Sequence, residues 1–311
     1  MKAFHSDHNF TLARKSQALR LRAEFIQRLR LFFIQNDFLE VETPLRIPAP
    51  APEEHIEALR TEDWFLQTSP ELCMKRMLAA GYPRIFQISK CFRAGERGDL
   101  HLPEFTMLEW YVSGFDYHQL MNQCETMIRS VAGDSGMTEM VCQNKKINLS
   151  LPWEKITVAE AFSQYAPVTL EDALAQERFD ECLVECVEPH LGTGRPTFLY
   201  DYPAKLAALA RLKNNDPDVS ERFELYIGGV EIANGFSELT DREEQRKRFE
   251  SALEKRAAKS WARYDMPDFF LQSLATLPDC AGIALGIDRL VMLMAGAKRL
   301  DDVIAFSPEN L

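Results

Sequence analysis

The chain has 311 residues and a formal net charge of −11, with 46% hydrophobic and 27% charged residues. This is the composition of an ordinary globular protein that can bury a sizeable core as one large domain or two small ones. The negative balance argues against broad, unspecific binding to nucleic acid. No apolar run approaches the roughly 18 residues of a membrane span.

The N-terminus and the cysteines both indicate the cytoplasm. The first ten residues, MKAFHSDHNF, contain no apolar core of a secretory signal. The seven cysteines are an odd number without paired spacing, which suits reduced thiols better than a disulfide framework. A zinc site on Cys182, Cys186 and His190 is the weaker alternative, because Pro189 interrupts that segment. We therefore predict a cytoplasmic protein without a membrane partner.

Residues 16–36 are predicted to form a long amphipathic helix, because apolar side chains recur at helical spacing. These are Leu19, Ala23, Ile26, Leu29 and Phe33. The segment FLEVETPLRIP has the composition of a short strand that Pro44 and Pro48 end.

A second helix has signals at both ends. Ser69 is a candidate N-cap, Pro70 suits the first helical position, and Gly81 suits the stop. Glu71 then lies in the first turn, where the helix dipole favours a carboxylate. Capping and ligand binding are equally good interpretations of Glu71 at this point.

The segment around residues 85–112 is predicted to be a hairpin, since two strand-like runs flank a polar, Gly-containing loop. Alternation places Phe105, Met107, Glu109 and Tyr111 on one face of the second strand. A carboxylate on such a face is costly unless it is paired. We therefore expect this face to meet a cation.

Residues 115–215 are predicted to be mostly helical, with one strand in PTFLYDYP at 196–203. RFELYIGGVEIAN then indicates two strands joined by a two-residue Gly228-Gly229 turn. That turn would pair Tyr226 with Glu231 and Glu224 with Ala233, so the two glutamates would share a face. Two carboxylates so placed can share a divalent cation. NGFSE brings Asn234 and Glu238 just past them.

The C-terminal part begins with a charged helix at 241–263, for which solvation is a sufficient explanation. GIALGIDRLVMLMAG then predicts a strand at 282–286 that leads into a helix near Ile287. Gly282, Ala284 and Gly286 would form a smooth face for a ligand. Arg289 would lie in the first helical turn, where an anion is already favoured.

These residues together suit the activation of an amino acid by ATP. Two arginines can neutralise phosphate charge, a carboxylate pair can hold a metal, and separate acids can hold an ammonium group. The sequence offers no Ser-His pair, activated cysteine or acidic dyad that competes with this interpretation.

The motifs resemble those of class II aminoacyl-tRNA synthetases: the first helix with its strand and Pro44, the stretch from Arg93 through PEFTMLEWY, and GIDRLVML. TSPELCMKRML and ERFELYIGGVEIANGFSELTD resemble lysyl-tRNA synthetases more narrowly. Those enzymes carry an N-terminal OB-fold that reads the anticodon, and here the first motif begins too early for one. PEFTMLEWY, PDCAGIALGIDRLVML and DDVIAFS resemble the elongation factor P–(R)-β-lysine ligase family more closely.

The resemblance covers nearly the whole chain and implies an α+β fold, with a largely antiparallel sheet flanked by helices. It implies a single catalytic domain over residues 1–311 with a divergent helical insertion at 130–215, and a homodimer formed through the first motif. The implied activity is a ligase that uses ATP and Mg²⁺ to adenylate (R)-β-lysine or lysine. The product is then transferred to a lysine side chain of elongation factor P, without anticodon recognition.

The resemblance also assigns roles to residues. Arg93 and Arg289 would be catalytic, Phe105 would stack on adenine, and Glu224 and Glu231 would hold Mg²⁺. The ATP-binding set would be Arg93, Ala94, Gly95, Glu96, His101, Phe105, Glu231, Ile232, Gly286 and Arg289. The amino-acid-binding set would be Ser69, Pro70, Glu71, Glu109, Tyr111, Asn234, Glu238 and Ala284.

The chain departs from the family pattern at Leu102, where asparagine is common, and at Ala94 and Gly95, where Asn-Glu is usual. Ser237 is typical of the tRNA ligases rather than the β-lysine family. A truncated lysyl-tRNA ligase and a catalytically idle, lysine-sensing or scaffolding paralogue are therefore the alternatives.

Overall fold

The computed structural model describes residues 12–134, 136–142 and 145–311. The strands are β1 (Leu39–Glu40), β2 (Arg46–Ile47), β3 (Arg60–Thr61), β4 (Trp64–Leu66), β5 (Arg84–Phe92), β6 (Glu104–Ser113), β7 (Glu139–Cys142), β8 (Lys145–Asn148), β9 (Glu154–Thr157), β10 (Thr197–Pro203), β11 (Leu212–Lys213), β12 (Asp216–Ile227), β13 (Val230–Ser237) and β14 (Cys280–Gly286). The helices are α1 (Ser16–Gln35), α2 (Glu71–Ala79), α3 (Tyr117–Gly133), α4 (Val158–Tyr165), α5 (Leu170–Ala175), α6 (Phe179–Cys182), α7 (Arg242–Ala258), α8 (Asp268–Ser273) and α9 (Ile287–Met294).

A nine-stranded sheet organises the fold, in the order β1-β5-β6-β14-β13-β12-β10-β9, with β11 paired to β12. The β1–β5 and β9–β10 pairs are parallel and the other neighbours are antiparallel. The predicted α+β class with a largely antiparallel sheet is therefore confirmed.

Helix α1 packs on one face of the sheet, close to its predicted bounds. Its buried positions are Phe25, Leu29 and Phe33, and the Phe33 ring stacks on Phe86 of β5 at 4.7 Å. Ala23, predicted to face the core, is exposed instead. The aromatic Phe25 offers more apolar area to bury, so the helix is rotated toward it.

Helix α2 begins one residue later than predicted. Pro70 is the N-cap, and the Ser69 Oγ accepts a hydrogen bond from the Glu71 backbone N–H at 3.0 Å. Gly81 follows the helix with a φ of +98°, a conformation that favours glycine, so the predicted stop is confirmed.

The segment 130–215 was predicted to be mostly helical, and this is wrong for much of its length. It contains α4, α5 and α6, but also the β7–β8 hairpin and the parallel β9–β10 pair that extends the main sheet. A parallel pair needs a long crossover, and the helical stretch between β9 and β10 supplies it. The strand predicted at 196–203 is β10.

The hairpin of β12 and β13 has the predicted Gly228-Gly229 turn but not the predicted register. Tyr226 lies opposite Glu231, whereas Glu224 lies opposite Asn234 and not Ala233. The register shifts at a β-bulge in which Ile232 is the additional residue. Alternation alone would have turned Asn234 away from the face that carries Glu231, and the bulge brings them to the same face.

Strand β14 and helix α9 occupy the predicted positions, with Arg289 in the first turn of the helix. The smooth face is only partly available to a ligand. A Cβ atom at Gly282 would come within 2.1 Å of the Tyr111 ring, which already covers this glycine. A Cβ atom at Gly286 would come no closer than 3.8 Å to any described residue beyond its chain neighbours. Any ligand on this face therefore lies nearer Ala284 and Gly286.

Candidate active site

A cavity of about 960 Å³ lies on the face of the sheet opposite α1 and α3. The predicted site residues that line it are Ser69, Glu71, Arg93, Glu96, His101, Phe105, Glu109, Tyr111, Glu224, Glu231, Ile232, Asn234, Ala284, Gly286 and Arg289. The predicted residues that do not line it are Pro70, Ala94, Gly95 and Glu238. The sequence motifs, widely separated along the chain, therefore meet in one cavity.

A row of side chains crosses the sheet beneath the cavity. Glu109 on β6 lies opposite Ala284, Ala284 lies opposite Asn234, and Asn234 lies opposite Glu224. Directly opposite residues project from the same face. The row therefore presents two acids, an amide and a methyl group to the same space.

The cavity has two chemically different ends, which are separated along β6. Phe105 and Tyr111 are six residues apart, about 20 Å in an extended strand. We call the surroundings of Arg93, His101 and Arg289 the basic end. The surroundings of Ser69, Glu71, Glu109 and Tyr111 form the acidic end.

At the basic end, Arg93 lies over Phe105, with its guanidinium carbon 5.1 Å from the ring centroid. Its ion pair with Glu96 is loose, at 3.9 Å, and its Nε is buried without a hydrogen-bond partner among the described residues. The donors of Arg93 are therefore available to an anion.

Arg289 is fixed more firmly. Its Nε donates to the Leu100 carbonyl at 3.1 Å, and Nη1 donates to the carbonyl and to the carboxylate of Glu231 at 2.8 and 3.0 Å. Its Nη2 lies 2.8 Å from His101 Nε2. Because arginine can only donate, His101 Nε2 accepts and the ring proton is on Nδ1. Burial and the nearby Arg289 charge lower the pKa of His101, so the ring is neutral.

The two glutamates predicted to share a metal each have an arginine. Glu224, 7% exposed, accepts from Arg222 at 2.5 Å and from the hydroxyls of Tyr202 and Tyr226 at 2.6 and 2.7 Å. Burial raises its pKa, Arg222 opposes that rise, and the neighbouring Glu231 adds to it. Burial would also raise the pKa of Glu231, but Arg289 lowers it below the usual range.

The carboxylates of Glu224 and Glu231 can bind Mg²⁺, but they do not form a complete metal site by themselves. Carboxylate oxygens are the ligands that Mg²⁺ prefers, and it commonly takes one or two of them together with substrate phosphates. Within the described ranges, no group of three or more His, Cys, Asp or Glu side chains is arranged to hold a metal on its own. Phosphate oxygens would therefore have to complete the coordination.

At the acidic end, Glu109 is 1% exposed and accepts from Ser69 Oγ at 2.5 Å and from the Tyr111 hydroxyl at 2.8 Å. Burial raises its pKa to about 8, and the nearby Glu71 contributes to the rise. The hydrogen bonds and the Lys75 ammonium lower it only in part. In the part of the chain that the structure describes, Glu109 thus meets two hydroxyl groups and forms no ion pair.

Lys75 lies between Glu71 and Glu238 and forms an ion pair with each. Lys75 is 2% exposed and Glu238 is fully buried. Burial raises the pKa of Glu238 to about 8, although Lys75 opposes the rise. Glu238 therefore lies behind the cavity wall, next to Tyr111 and Gly282, and not on the wall as predicted.

Several residues that line the cavity or lie directly behind its wall were missed by the sequence analysis. Lys75 follows Glu71 by four residues on a helix, and Arg222 precedes Glu224 by two on a strand, so both pairings were visible as local spacing. Helix α7 was explained by solvation alone, yet Gln245 and Arg248 line the cavity. Nothing in the local pattern indicated this.

Arg256, also on α7, is 1% exposed and holds a loop of the cavity wall. Its Nη1 donates to the carbonyls of Glu53 and Ile56 at 2.9 and 2.6 Å, and Nη2 forms an ion pair with Glu57. Glu53 lines the cavity. Burial raises the pKa of Glu53 to about 7, against the opposing charge of Arg93.

The departures from the family pattern have structural explanations. Leu102 is 2% exposed and belongs to the main hydrophobic core. The Ala94 backbone N–H donates to the Glu57 carbonyl at 2.7 Å, which ties the motif loop to the wall segment. Gly95 has a φ of +77°, which favours glycine.

A family model described as tRNA synthetases class II (D, K and N) matches residues 8–310. A protein of Pectobacterium carotovorum (strain PC1) named elongation factor P--(R)-beta-lysine ligase is 40% identical over 307 residues, covering 93% of this chain and 94% of the relative. Relatives with the same name from Proteus mirabilis (strain HI4320) and Vibrio atlanticus (strain LGP32) are each 39% identical, covering 92% and 93% of this chain and 93% and 94% of the relatives. Among the described residues, no helix is long and apolar enough to cross a membrane. The chain belongs to the class II tRNA synthetase family, within the group of elongation factor P–(R)-β-lysine ligases.

Proposed function

We propose that the protein activates (R)-β-lysine or lysine with ATP and transfers it to a lysine side chain of elongation factor P. The observation that carries this proposal is one cavity with an arginine pair at one end and, at the other, a buried Glu109 that forms no ion pair with any described residue. The arginines at the basic end suit the phosphates of a nucleotide, and the carboxylate at the acidic end suits the ammonium group of a basic amino acid.

The reaction has two steps. An oxygen of the amino-acid carboxylate bonds to the α-phosphorus of ATP, the bond to the bridging oxygen breaks, and pyrophosphate leaves. The acceptor amine then bonds to the carbonyl carbon, AMP leaves with the electron pair of the broken C–O bond, and the nitrogen loses a proton. Both steps concentrate negative charge on phosphate oxygens, so fixed positive charge lowers their barriers.

At the basic end, Arg93 would bind the α-phosphate and the substrate carboxylate, since its buried Nε and loose ion pair leave donors unused. Phe105 would stack on adenine. Arg289 would bind the terminal phosphate through its remaining Nη2 hydrogen, because its other donors hold it to Glu231, Leu100 and His101. Glu96, Ile232 and Gly286 would border the nucleotide.

Glu224 and Glu231 would hold Mg²⁺, which when bound would neutralise phosphate charge. Without the metal, Arg222 neutralises Glu224 and Arg289 neutralises Glu231.

At the acidic end, Glu109 and Tyr111 would receive the substrate's terminal ammonium group. Ser69 and Glu71 lie beside them, and Asn234 and Ala284 continue the same row toward the basic end. The predicted contacts of Pro70, Ala94 and Gly95 would be indirect, through the shape of their loops. Glu238 would act through Lys75.

We also infer a homodimer formed through the first motif. Leu31 and Ile34 of α1 and Leu39 and Leu45 after it are exposed by 43 to 56%. Such a group of exposed apolar side chains suits a protein interface. An acceptor that is a translation factor would place the activity in the cytoplasm.

Pyrophosphate exchange with (R)-β-lysine and with lysine tests the activation step, and labelling of purified elongation factor P tests the transfer. We expect exchange with at least one isomer and ATP-dependent labelling of the acceptor. Arg93→Ala should remove both, whereas Arg178→Ala, which breaks a surface ion pair with Glu181, should not. Charging of added tRNA would instead identify a truncated tRNA ligase, and no exchange with any isomer would identify an idle paralogue.

A further inference from the structure

We infer that the side-chain amide of Gln245 on α7 binds an ammonium group of the amino-acid substrate, an inference that rests on the proposed activation reaction. Gln245 is 1% exposed and lines the cavity. Neither its Oε1 nor its Nε2 has a hydrogen-bond partner among the described residues. Buried amides in folded proteins are nearly always hydrogen-bonded, so this one is available to a ligand.

Contacts before and after Gln245 hold its helix in place. Asp241 caps α7 by accepting from the backbone N–H groups of Glu243 and Glu244 at 2.9 and 3.0 Å. Phe249, one turn after Gln245, is 1% exposed and its ring lies 6.0 Å from Phe270. The amide therefore projects from the buried face of a fixed helix.

The neighbours of Gln245 place it at the acidic end. Phe249 and Phe270 belong to the same hydrophobic cluster as Tyr111. The Lys75 ammonium lies 5.9 Å from the Phe270 ring and 5.0 Å from the ring of Phe236, which also lines the cavity. Arg289 and His101, the phosphate-binding candidates, lie on other elements at the opposite end. The ligand of Gln245 is thus the amino acid and not the nucleotide.

The chemistry favours an ammonium group as the partner. Lysine and β-lysine each carry two ammonium groups, and each needs several acceptors. Glu109 already accepts from two hydroxyls, and Glu71 accepts from Lys75. Glu238 is compensated by the same Lys75 charge and lies behind the cavity wall. The amide oxygen of Gln245 is an acceptor that no donor among residues 12–134, 136–142 and 145–311 uses. Its partner is either the terminal ammonium or the one near the carboxylate, and both share this chemistry.

Gln245→Met tests the inference because methionine keeps the length and packing of the side chain and removes the amide. We expect the KM for the amino acid in pyrophosphate exchange to rise about tenfold or more, with the KM for ATP unchanged. The thermal unfolding midpoint without ligand should equal or exceed that of the wild type, since an unpartnered buried amide is lost. Gln164→Met, at an exposed position of α4, is the matched control.

Two analogues used as competitive inhibitors identify the ammonium group. Norleucine lacks the terminal amine, and 6-aminohexanoate lacks the amine beside the carboxylate. If Gln245 binds the terminal ammonium group, the inhibition constant of norleucine should be the same for Gln245→Met and the wild type. If it binds the ammonium group near the carboxylate, the inhibition constant of 6-aminohexanoate should be the same for both proteins.

Three results would overturn the inference: an unchanged KM for the amino acid, an equal rise in both KM values together with a lower unfolding midpoint, or a full loss of affinity for both analogues. If Gln245→Met does not fold, Gln245→Leu provides the same comparison. Exchange by the wild type tests the proposed function separately, so the two can fail independently.

Discussion

The raised pKa of Glu109 predicts that the apparent affinity for the amino acid depends on pH between 6 and 8. Four groups determine this pKa besides burial: Ser69 and Tyr111 donate to the carboxylate, Glu71 raises its pKa, and Lys75 lowers it, with a net value of about 8. An ammonium group binds well only to the ionised carboxylate. Below pH 8, part of the binding free energy is therefore used to remove the proton.

The magnitude follows from linkage. With a pKa of about 8, the KM for lysine should be about 11 times its limiting value at pH 7 and about 100 times that value at pH 6. It should level off above pH 8. The side-chain amine of lysine, with an ordinary pKa of about 10.4, stays charged over this range. The KM for ATP provides an internal control because Glu109 lies at the acidic end, away from the proposed nucleotide site.

Pyrophosphate exchange at pH 6, 7, 8 and 9 measures the dependence, in the wild type and in Glu109→Gln. The variant should bind lysine more weakly, by about 2 to 5 kcal/mol, and should show no change of KM with pH that is due to this group. Glu238→Gln should retain the dependence, because Glu238 lies outside the cavity wall. A flat profile in the wild type, or the same slope in Glu109→Gln, would refute the reasoning.

Four other substitutions test separate parts of the site. Glu231→Gln should lower adenylation by about 10²-fold or more and leave the unfolding midpoint nearly unchanged, because its carboxylate lies at the cavity surface; normal exchange would exclude a metal role. Glu238→Gln breaks a buried ion pair, so it should cost about 3 kcal/mol or more of stability and raise the KM for lysine more than that for ATP; equal increases would contradict an effect through Lys75. Ala284→Gly should raise kcat/KM for lysine relative to β-lysine by about 10- to 200-fold, since one methyl group in the central row is removed; an unchanged ratio would place isomer selection elsewhere. Ile34→Asp should convert a dimer to a monomer in analytical ultracentrifugation, and an unchanged mass would exclude this face.

The parts of the fold that local patterns determine were predictable from the sequence. The hairpin of β5 and β6, the Gly-Gly turn and the passage from β14 into α9 all join elements that are consecutive in the chain. The faces of β6 followed from alternation, so Phe105, Glu109 and Tyr111 were correctly placed together. The motif resemblance then predicted which distant segments form one site, which local patterns cannot predict.

Two features of the site could not be predicted, for different reasons. The bulge at Ile232 shifts the β12–β13 register by one residue, and no Gly or Pro at that position indicates a bulge in the sequence. The wall formed by α7 is a tertiary contact of a helix whose residues are mostly charged, so its pattern shows no buried face. Arg256 is an example, because its burial requires the carbonyls of Glu53 and Ile56, about 200 positions away in the chain.

The acidic end is better understood as a balance of charge than as a set of ligands. Glu71, Glu109 and Glu238 are three carboxylates with one fixed cation, Lys75, among them. Full ionisation would leave two negative charges in excess, which is costly in a buried site. The pKa of about 8 for Glu109 relieves part of this cost, since Glu109 can keep a proton near neutral pH while no substrate is bound. A substrate ammonium group can replace that proton, whereas a neutral side chain of the same length cannot. Selectivity for lysine-like amino acids over norleucine would therefore arise because a substrate ammonium group replaces the proton of Glu109. This selectivity should increase as the pH rises toward 8.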